Sequence, residues 1–288
     1  RDVERSRGLG DVYKRQVCHH TFQNQSGSWV YPDDVKEEKT KLIQISTDEL
    51  VIQGPIESMS KSKKNVVDPE SIIKSYGADA ARWFMLSDSP PEKDINWSDS
   101  GIKGAWKICQ KISGIINKNQ SLIQNEEVDN IKDLSSNANE FLRSIHQCLD
   151  GITKSIDRFQ MNVAIAKIYE MVNSILRFKI TEESDKSALV QSLKILIRVM
   201  EPMIPHLAEE CWAMTCGAGL LSSQPWPTVN DKFLINESVI IVVQVNGKKR
   251  GELKVEKDIN KKEVLMMIKN IENVKKILVE SKIIKEIF

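Results

Sequence analysis

The chain has 288 residues, 41% of them hydrophobic and 28% charged, which fits a globular protein of two or three domains and argues against intrinsic disorder. Lysine plus arginine number 41 against 40 acidic residues, so any affinity for nucleic acid has to come from local patches. No apolar run reaches the roughly 20 residues of a membrane helix and no charged-then-apolar leader opens the chain, so no membrane partner and a cytoplasmic location are expected.

Residues 1–16 are rich in arginine (Arg1, Arg5, Arg7, Arg15), whereas the remainder favours lysine, and they are expected to be an artefactual leader. From Val17 to Ile56, short β-rich pieces ("VCHHTF", "WVYP", "KLIQIS", "LVIQG") are broken by Gly, Asn, Asp and Pro, the grammar of hairpins and loops. Cys18, His19 and His20 suggest no metal site, because adjacent strand residues alternate faces and cannot converge on one ion. The five cysteines (Cys18, Cys109, Cys148, Cys211, Cys216) form no C-x-x-C pair, and reduced core thiols are expected.

"ESMSKSKKNVVDP", Glu57–Pro69, has no apolar face and precedes a helix start. In "DPESIIKSYG", Asp68 is the expected N-cap, Pro69 the first helical residue and Gly77 the stop. A second helix is expected in "ADAARWFMLSDSPP", capped near Asp79 and ended by Pro90 and Pro91. From Ser98, helical stripes follow: Ala105, Ile108, Ile112, Ile115, Ile116; then Phe141, Leu142, Ile145, Leu149, Ile152, Ile156; then Ala164, Ile168, Met171, Val172, Ile175; then Leu189, Leu193, Leu196, Ile197, Met200. A short helix around "HLAEECWAM" follows Pro202 and Pro205. Such stripes, joined by polar connections such as "NQSLIQNEEVDN", bury one another in an antiparallel helical bundle.

After "PWPTVND", "VIIVVQV" and "RGELKVEK" flank a turn at Asn246 and Gly247 and predict a β-hairpin. A helix at about Lys261–Asn270 and a final strand complete a small α+β module. "SKIIKEIF" stops at Phe288 in strand pattern with no closing turn, which reads as a fragment.

The chemistry of Glu57–Pro69 admits two readings. Clustered serine hydroxyls and lysine ammoniums, with loop N–H groups left free, suit a polyphosphate; the same composition also suits a solvated surface loop. A phosphate-binding loop of the Walker A type fails, because Met59 stands where that pattern requires glycine.

"SMSKSKKNVVDP" resembles the KMSKS motif of class I aminoacyl-tRNA synthetases, and "YGADAARWFMLSDSPPEKDINWSDSGIKGAW" resembles the leucyl branch of that family. "MNVAIAKIYEMVN", "EPMIPHLAEECW" and "VQVNGKKRGELKV" add to the resemblance, which covers nearly everything from Val17 to Phe288. It implies a mainly α chain: the end of a class I catalytic α/β core over 17–97, a helical anticodon-binding-type domain over 98–230, and a truncated α+β module over 235–288. It implies leucine–tRNA ligase activity: ATP-dependent formation of leucyl-adenylate and transfer to tRNA(Leu), with Mg2+ as the counterion of ATP, no protein-bound metal, and a monomer. Lys61 matches the motif's second lysine, which reaches the ATP phosphates as pyrophosphate departs. Ser60 and Ser62 are expected to add donors and Met59 to pack the loop. Ser58 stands where the motif has its first lysine, with Lys63 and Lys64 near enough to compensate in part.

The terminal module of such enzymes reaches the tRNA elbow, so Lys248, Lys249 and Arg250 are candidates for phosphate contacts; a solvated hairpin tip is the competing reading. Trp83, Trp97, Trp106, Trp212 and Trp226 are expected to pack rather than stack on bases, and His146 and His206 to be packing or surface residues. No HIGH-type adenine-site motif and no editing domain are present in the sequence, so the chain alone is expected to form no adenylate. A stand-alone, non-catalytic tRNA-binding module is the alternative.

Overall fold

A computed structural model describes residues 16–125, 134–215, 219–234, 238–256 and 259–280. The chain is predominantly helical and divides into two compact units between Val229 and Asn230.

The first unit opens with β1 (Val17–Asn24), β2 (Val35–Glu38), β3 (Lys41–Gln44) and β4 (Val51–Ser58). β1 is the middle of a three-stranded sheet, antiparallel to β4 and parallel to β5 (Ile95–Asn96). β2 and β3 form a separate hairpin. Phe22, Val30 and Val51 are buried beneath it, with Val35 and Leu42 packed against them. Gly54 is required on β4: a Cβ there would fall on the Thr21 hydroxyl of β1.

The loop 59–68 leads from β4 into α1 (Pro69–Tyr76) and α2 (Ala78–Ser87). Asp68 caps α1 as the sequence predicts, its carboxylate accepting from Glu70 N–H at 3.3 Å and Ser71 N–H at 3.0 Å. Asp79 differs from expectation. Gly77, at φ 85°, starts α2, and the Asp79 carboxylate reaches across to another helix described below.

α3 (Asp99–Lys118), α4 (Gln120–Asn125), α5 (Ser136–Asp157), α6 (Met161–Arg177), α7 (Glu183–Met200) and α8 (Pro205–Thr215) follow. α5 packs on α6 and α7, α7 on α8, and α2 on α3 and α6. Their inward stripes include Ile102, Ile112, Ile116, Leu142, Ile145, Leu149, Ile168 and Leu193, all within 1% of complete burial. α4 corrects the sequence reading, which treats residues 119–130 as connection. Ile123 is 2% exposed and anchors this additional piece of helix. α2 and α3 approach closely because Gly101 has no side chain; a Cβ would lie 2.5 Å from the Phe84 ring.

Asp185 ties the starts of α5 and α7 together. Its buried carboxylate accepts from Ser135 Oγ at 2.7 Å, Asn137 Nδ2 at 3.0 Å, and Thr181 N–H and Oγ1, both at 2.8 Å. Burial acts to raise its pKa, but these donors outweigh it and hold the carboxyl well below the usual range.

The second unit contains β6 (Ser238–Val245), β7 (Lys248–Glu256), α9 (Lys261–Lys269) and α10 (Glu272–Glu280). Asn246 at φ 53° and Gly247 at φ 74° make the tight turn of the antiparallel hairpin. α10 is absent from the sequence reading, which passes directly from α9 to a strand; that strand falls in 281–288, outside the described residues.

Candidate functional site

The loop is set by strands first. β4 continues its pairing one residue past its end, where Met59 N–H donates to Val17 O at 3.0 Å. The chain then leaves the sheet and turns at 61–64, with Lys64 N–H 3.3 Å from Lys61 O and Lys64 itself at φ 54°. Ser60 Oγ and Ser62 Oγ lie 2.7 Å apart and bond to each other. Met59 is half-buried at the base of the loop.

The three loop lysines have different surroundings. Lys63 Nζ pairs with Glu57. Lys64 Nζ lies 5.3 Å from the centroid of the Tyr31 ring, a cation–π contact. Lys61 is exposed and lines a cleft of about 620 Å³ together with Tyr31, Asp33, Asp34, Ile45, Val66, Val67, Asp68 and Pro69. The compensation for Ser58 that the sequence suggests is therefore committed elsewhere in this conformation. Ser58 Oγ itself bonds the Gln16 side chain.

The wall facing the loop comes from Tyr31, Asp33 and Asp34, just before β2, and from Ile45, just after β3. Hydrogen bonds from the Ser46 and Gln44 side chains lower the pKa of Asp34, with Gln44 Nε2 and Ser46 Oγ each 2.7 Å from the carboxylate. Asp68 is occupied by capping α1. Asn65 is the residue sequence reasoning missed: it is completely buried beneath the loop and its side chain meets the backbone of both strands. Only its place in a short polar run marked it, and its partners are backbone atoms, one of them in His19, 46 positions away.

Elsewhere, His19 Nδ1 contacts His20 O at 3.0 Å and His20 Nδ1 contacts Gly54 O at 3.1 Å. Among the described residues no group of three or more His, Cys, Asp or Glu side chains is placed to hold a metal ion. Trp83 is buried and donates to Tyr169 OH at 3.2 Å, Trp97 packs edge-on against Phe84, and Trp212 lies against Arg198. Trp106 and Trp226 are 39% and 38% exposed, more open than helix packing alone predicts, although Trp226 donates to Thr153 Oγ1 at 2.9 Å. His146 is buried and His206 exposed. In the second unit, Lys248, Lys249 and Arg250 open β7; Lys249 pairs with Glu252, and Arg250 is half-buried with its carbonyl accepting from Asn273.

Comparison with known proteins gives these features a context. Residues 37–98 match the family described as tRNA synthetases class I (I, L, M and V), and residues 138–265 match the anticodon-binding domain of tRNA ligase. A leucine–tRNA ligase of Maricaulis maris is 40% identical over 82% of this chain and 27% of its own length. One from Wolbachia pipientis subsp. Culex pipiens is 39% identical over 88% of this chain and 30% of its own. Among solved structures, a ternary complex of Agrobacterium radiobacter K84 agnB2 LeuRS with tRNA and LeuAMS superposes with a TM-score of 0.67 at 25% identity, over 80% of this chain and 29% of that one.

The match of residues 37–98 and the relatives along most of the chain place it in the class I tRNA synthetases. Within that class it belongs to the leucine–tRNA ligase family, and it spans about 30% of the length of the relatives it matches.

Proposed function

We propose that the chain is the C-terminal portion of an ATP-dependent leucine–tRNA ligase, and that its loop 59–68 serves the formation of leucyl-adenylate. The observation that carries this is the placement of Lys61. Of the three loop lysines it alone has neither the carboxylate partner of Lys63 nor the aromatic partner of Lys64, and it stands exposed at a cleft.

In the complete enzyme, leucine attacks the α-phosphorus of ATP and pyrophosphate leaves. Lys61 holds an ammonium where negative charge accumulates on the leaving phosphates, and a flexible four-carbon stem lets it follow that charge. Ser60 and Ser62, whose hydroxyls satisfy each other at 2.7 Å, exchange that bond for phosphate oxygens. Met59 holds the base of the loop. ATP brings Mg2+ as its counterion, and among the described residues no side-chain group is assigned to a metal of its own.

The helical unit and the β6–β7 module serve tRNA(Leu). The match of residues 138–265 to an anticodon-binding domain supports the first, and the basic start of β7 supports the second. The relatives favour this reading over a stand-alone tRNA-binding module, because the similarity runs through the class I segment as well as the helices. The enzyme is monomeric and cytoplasmic in this reading.

The test is Lys61→Ala in the full-length ligase. Leucine-dependent pyrophosphate–ATP exchange falls by at least about 100-fold, the loss typical of a transition-state charge contact, while tRNA affinity is unchanged. Exchange at the normal rate rejects the assignment.

A further inference from the structure

The conformation that presents Lys61 converges on one amide. The Asn65 side chain is 0% exposed. Its Oδ1 accepts the Ser60 N–H at 2.8 Å. Its Nδ2 faces three carbonyls, His19 O at 3.3 Å, Glu57 O at 3.2 Å and Ser58 O at 3.3 Å. One side chain therefore joins the departing leg of the loop, the end of β4 and the first half of β1. The left-handed Lys64, at φ 54°, turns the returning chain so that Asn65 lies beneath the loop. Lys61 stands at the apex between the two legs, Ser60 and Asn65, that this side chain clamps together.

The chemistry at this position demands an amide. An acceptor is needed on one side and donors on the other; a carboxylate supplies only the first and an apolar group neither. Without the clamp, the Ser60 N–H loses its acceptor and the carbonyls of His19, Glu57 and Ser58 lose the donor that joins them, so the departing leg of the loop is free to move toward water. Displacing a reacting group by about 1 Å can cost 100-fold in rate, so a side chain that fixes the backbone next to Lys61 affects the rate without touching the substrate.

We propose that Asn65 is a positioning residue for adenylate formation, acting through Lys61 by fixing the base of the loop. This rests on the reading of Lys61 given above.

A double-mutant cycle in the full-length ligase tests it. Asn65→Ala is expected to slow leucine-dependent pyrophosphate–ATP exchange about 10- to 100-fold at saturating ATP, with the KM for leucine unchanged. Placed in the Lys61→Ala background, the same substitution is expected to add less than about 3-fold, because the group it positions is gone. If Asn65→Ala does not fold, Asn65→Ser carries the same cycle, since its hydroxyl keeps a polar group in the buried site but is too short to bridge Ser60 to the strands. Normal exchange in the single variant, or a full additional loss in the Lys61→Ala background, overturns the proposal. Normal exchange in Lys61→Ala alone rejects the role of the loop and this inference with it; slow exchange there with a neutral or additive Asn65 effect rejects this inference only.

Discussion

Lys61, Lys63 and Lys64 carry the same charge within four positions, yet the fold gives each a different task. The Lys63–Glu57 pair is partly exposed and the Lys64–Tyr31 contact lies at the surface, so each stabilises the loop by no more than about 1 kcal/mol. Such contacts fix a conformation without locking it, and they leave Lys61 exposed at the cleft. The candidate lysine was legible because its chemistry resides in residue types packed into one short run. Asn65 was not, because its partners are backbone atoms, one of them in His19, 46 positions away. His146 shows the same dependence on tertiary context. Burial lowers its pKa, so the folded state refuses a proton that the unfolded state accepts. Its effect is absent above the ordinary value near 6.5 and destabilises the fold as pH drops below it. Denaturation midpoints measured between about pH 7.5 and pH 5.5 are expected to decline more steeply for the natural protein than for His146→Gln; parallel profiles would count against a buried neutral imidazole.

Among elements, two carboxylates do work that local sequence does not announce. Asp79 sits in the first turn of α2, but its oxygens accept from Leu207 N–H at 2.7 Å and lie 2.8 Å from His206 Nδ1, capping α8. One turn later Arg82 donates to Met203 O at 3.0 Å and Pro202 O at 2.8 Å. A single face of α2 thus supplies an anion to a helix start and a cation to the carbonyls before it, as the helix dipoles favour. Asp79→Ala is expected to lower stability by about 1–2 kcal/mol, measured by chemical denaturation, the usual loss on removing a cap. Asp185 is more deeply committed. Asp185→Ala removes a buried carboxylate that accepts from several partly exposed donors and is expected to cost about 2–3 kcal/mol, the worth of hydrogen bonds to a charged group. Because its carboxyl is held below the unfolded value near 4, its contribution is complete above that pH and is lost as acid protonates it. The apolar stripes and the Asp68 cap were readable, since both are local patterns. Which helix Asp79 caps was not, because a capping residue advertises a free acceptor and not the address of its donor. α10 escaped for another reason: "ENVKKILVE" mixes β-branched residues with a helical spacing, and only packing against β7 decides between them.

For the whole molecule, burial decides the state of the thiols, and surface charge is where the proposed tRNA role can be tested. Burial pushes the thiols of Cys109 and Cys211 up to about 12 and that of Cys148 to about 11. At neutral pH they are protonated and shielded, and a thiol reagent is expected to label them only on unfolding. In the second unit, neutralising Lys248, Lys249 and Arg250 together is expected to weaken tRNA binding and to reduce the slope of log affinity against log salt by about 1 to 3. The lower figure applies if the Glu252 pairing of Lys249 and the partial burial of Arg250 persist in the complex. An unchanged slope would place the tRNA contacts elsewhere. The ligase assignment itself is tested most directly by single-turnover formation of leucyl-adenylate in the full-length enzyme, comparing Lys61→Ala with Lys63→Ala. Loss of the exposed cation is expected to slow the step by at least about 100-fold, and loss of the Glu57-paired cation by less than about 10-fold. An unimpaired Lys61→Ala enzyme, or a Lys63→Ala enzyme more severely slowed, would contradict the role of the loop described here.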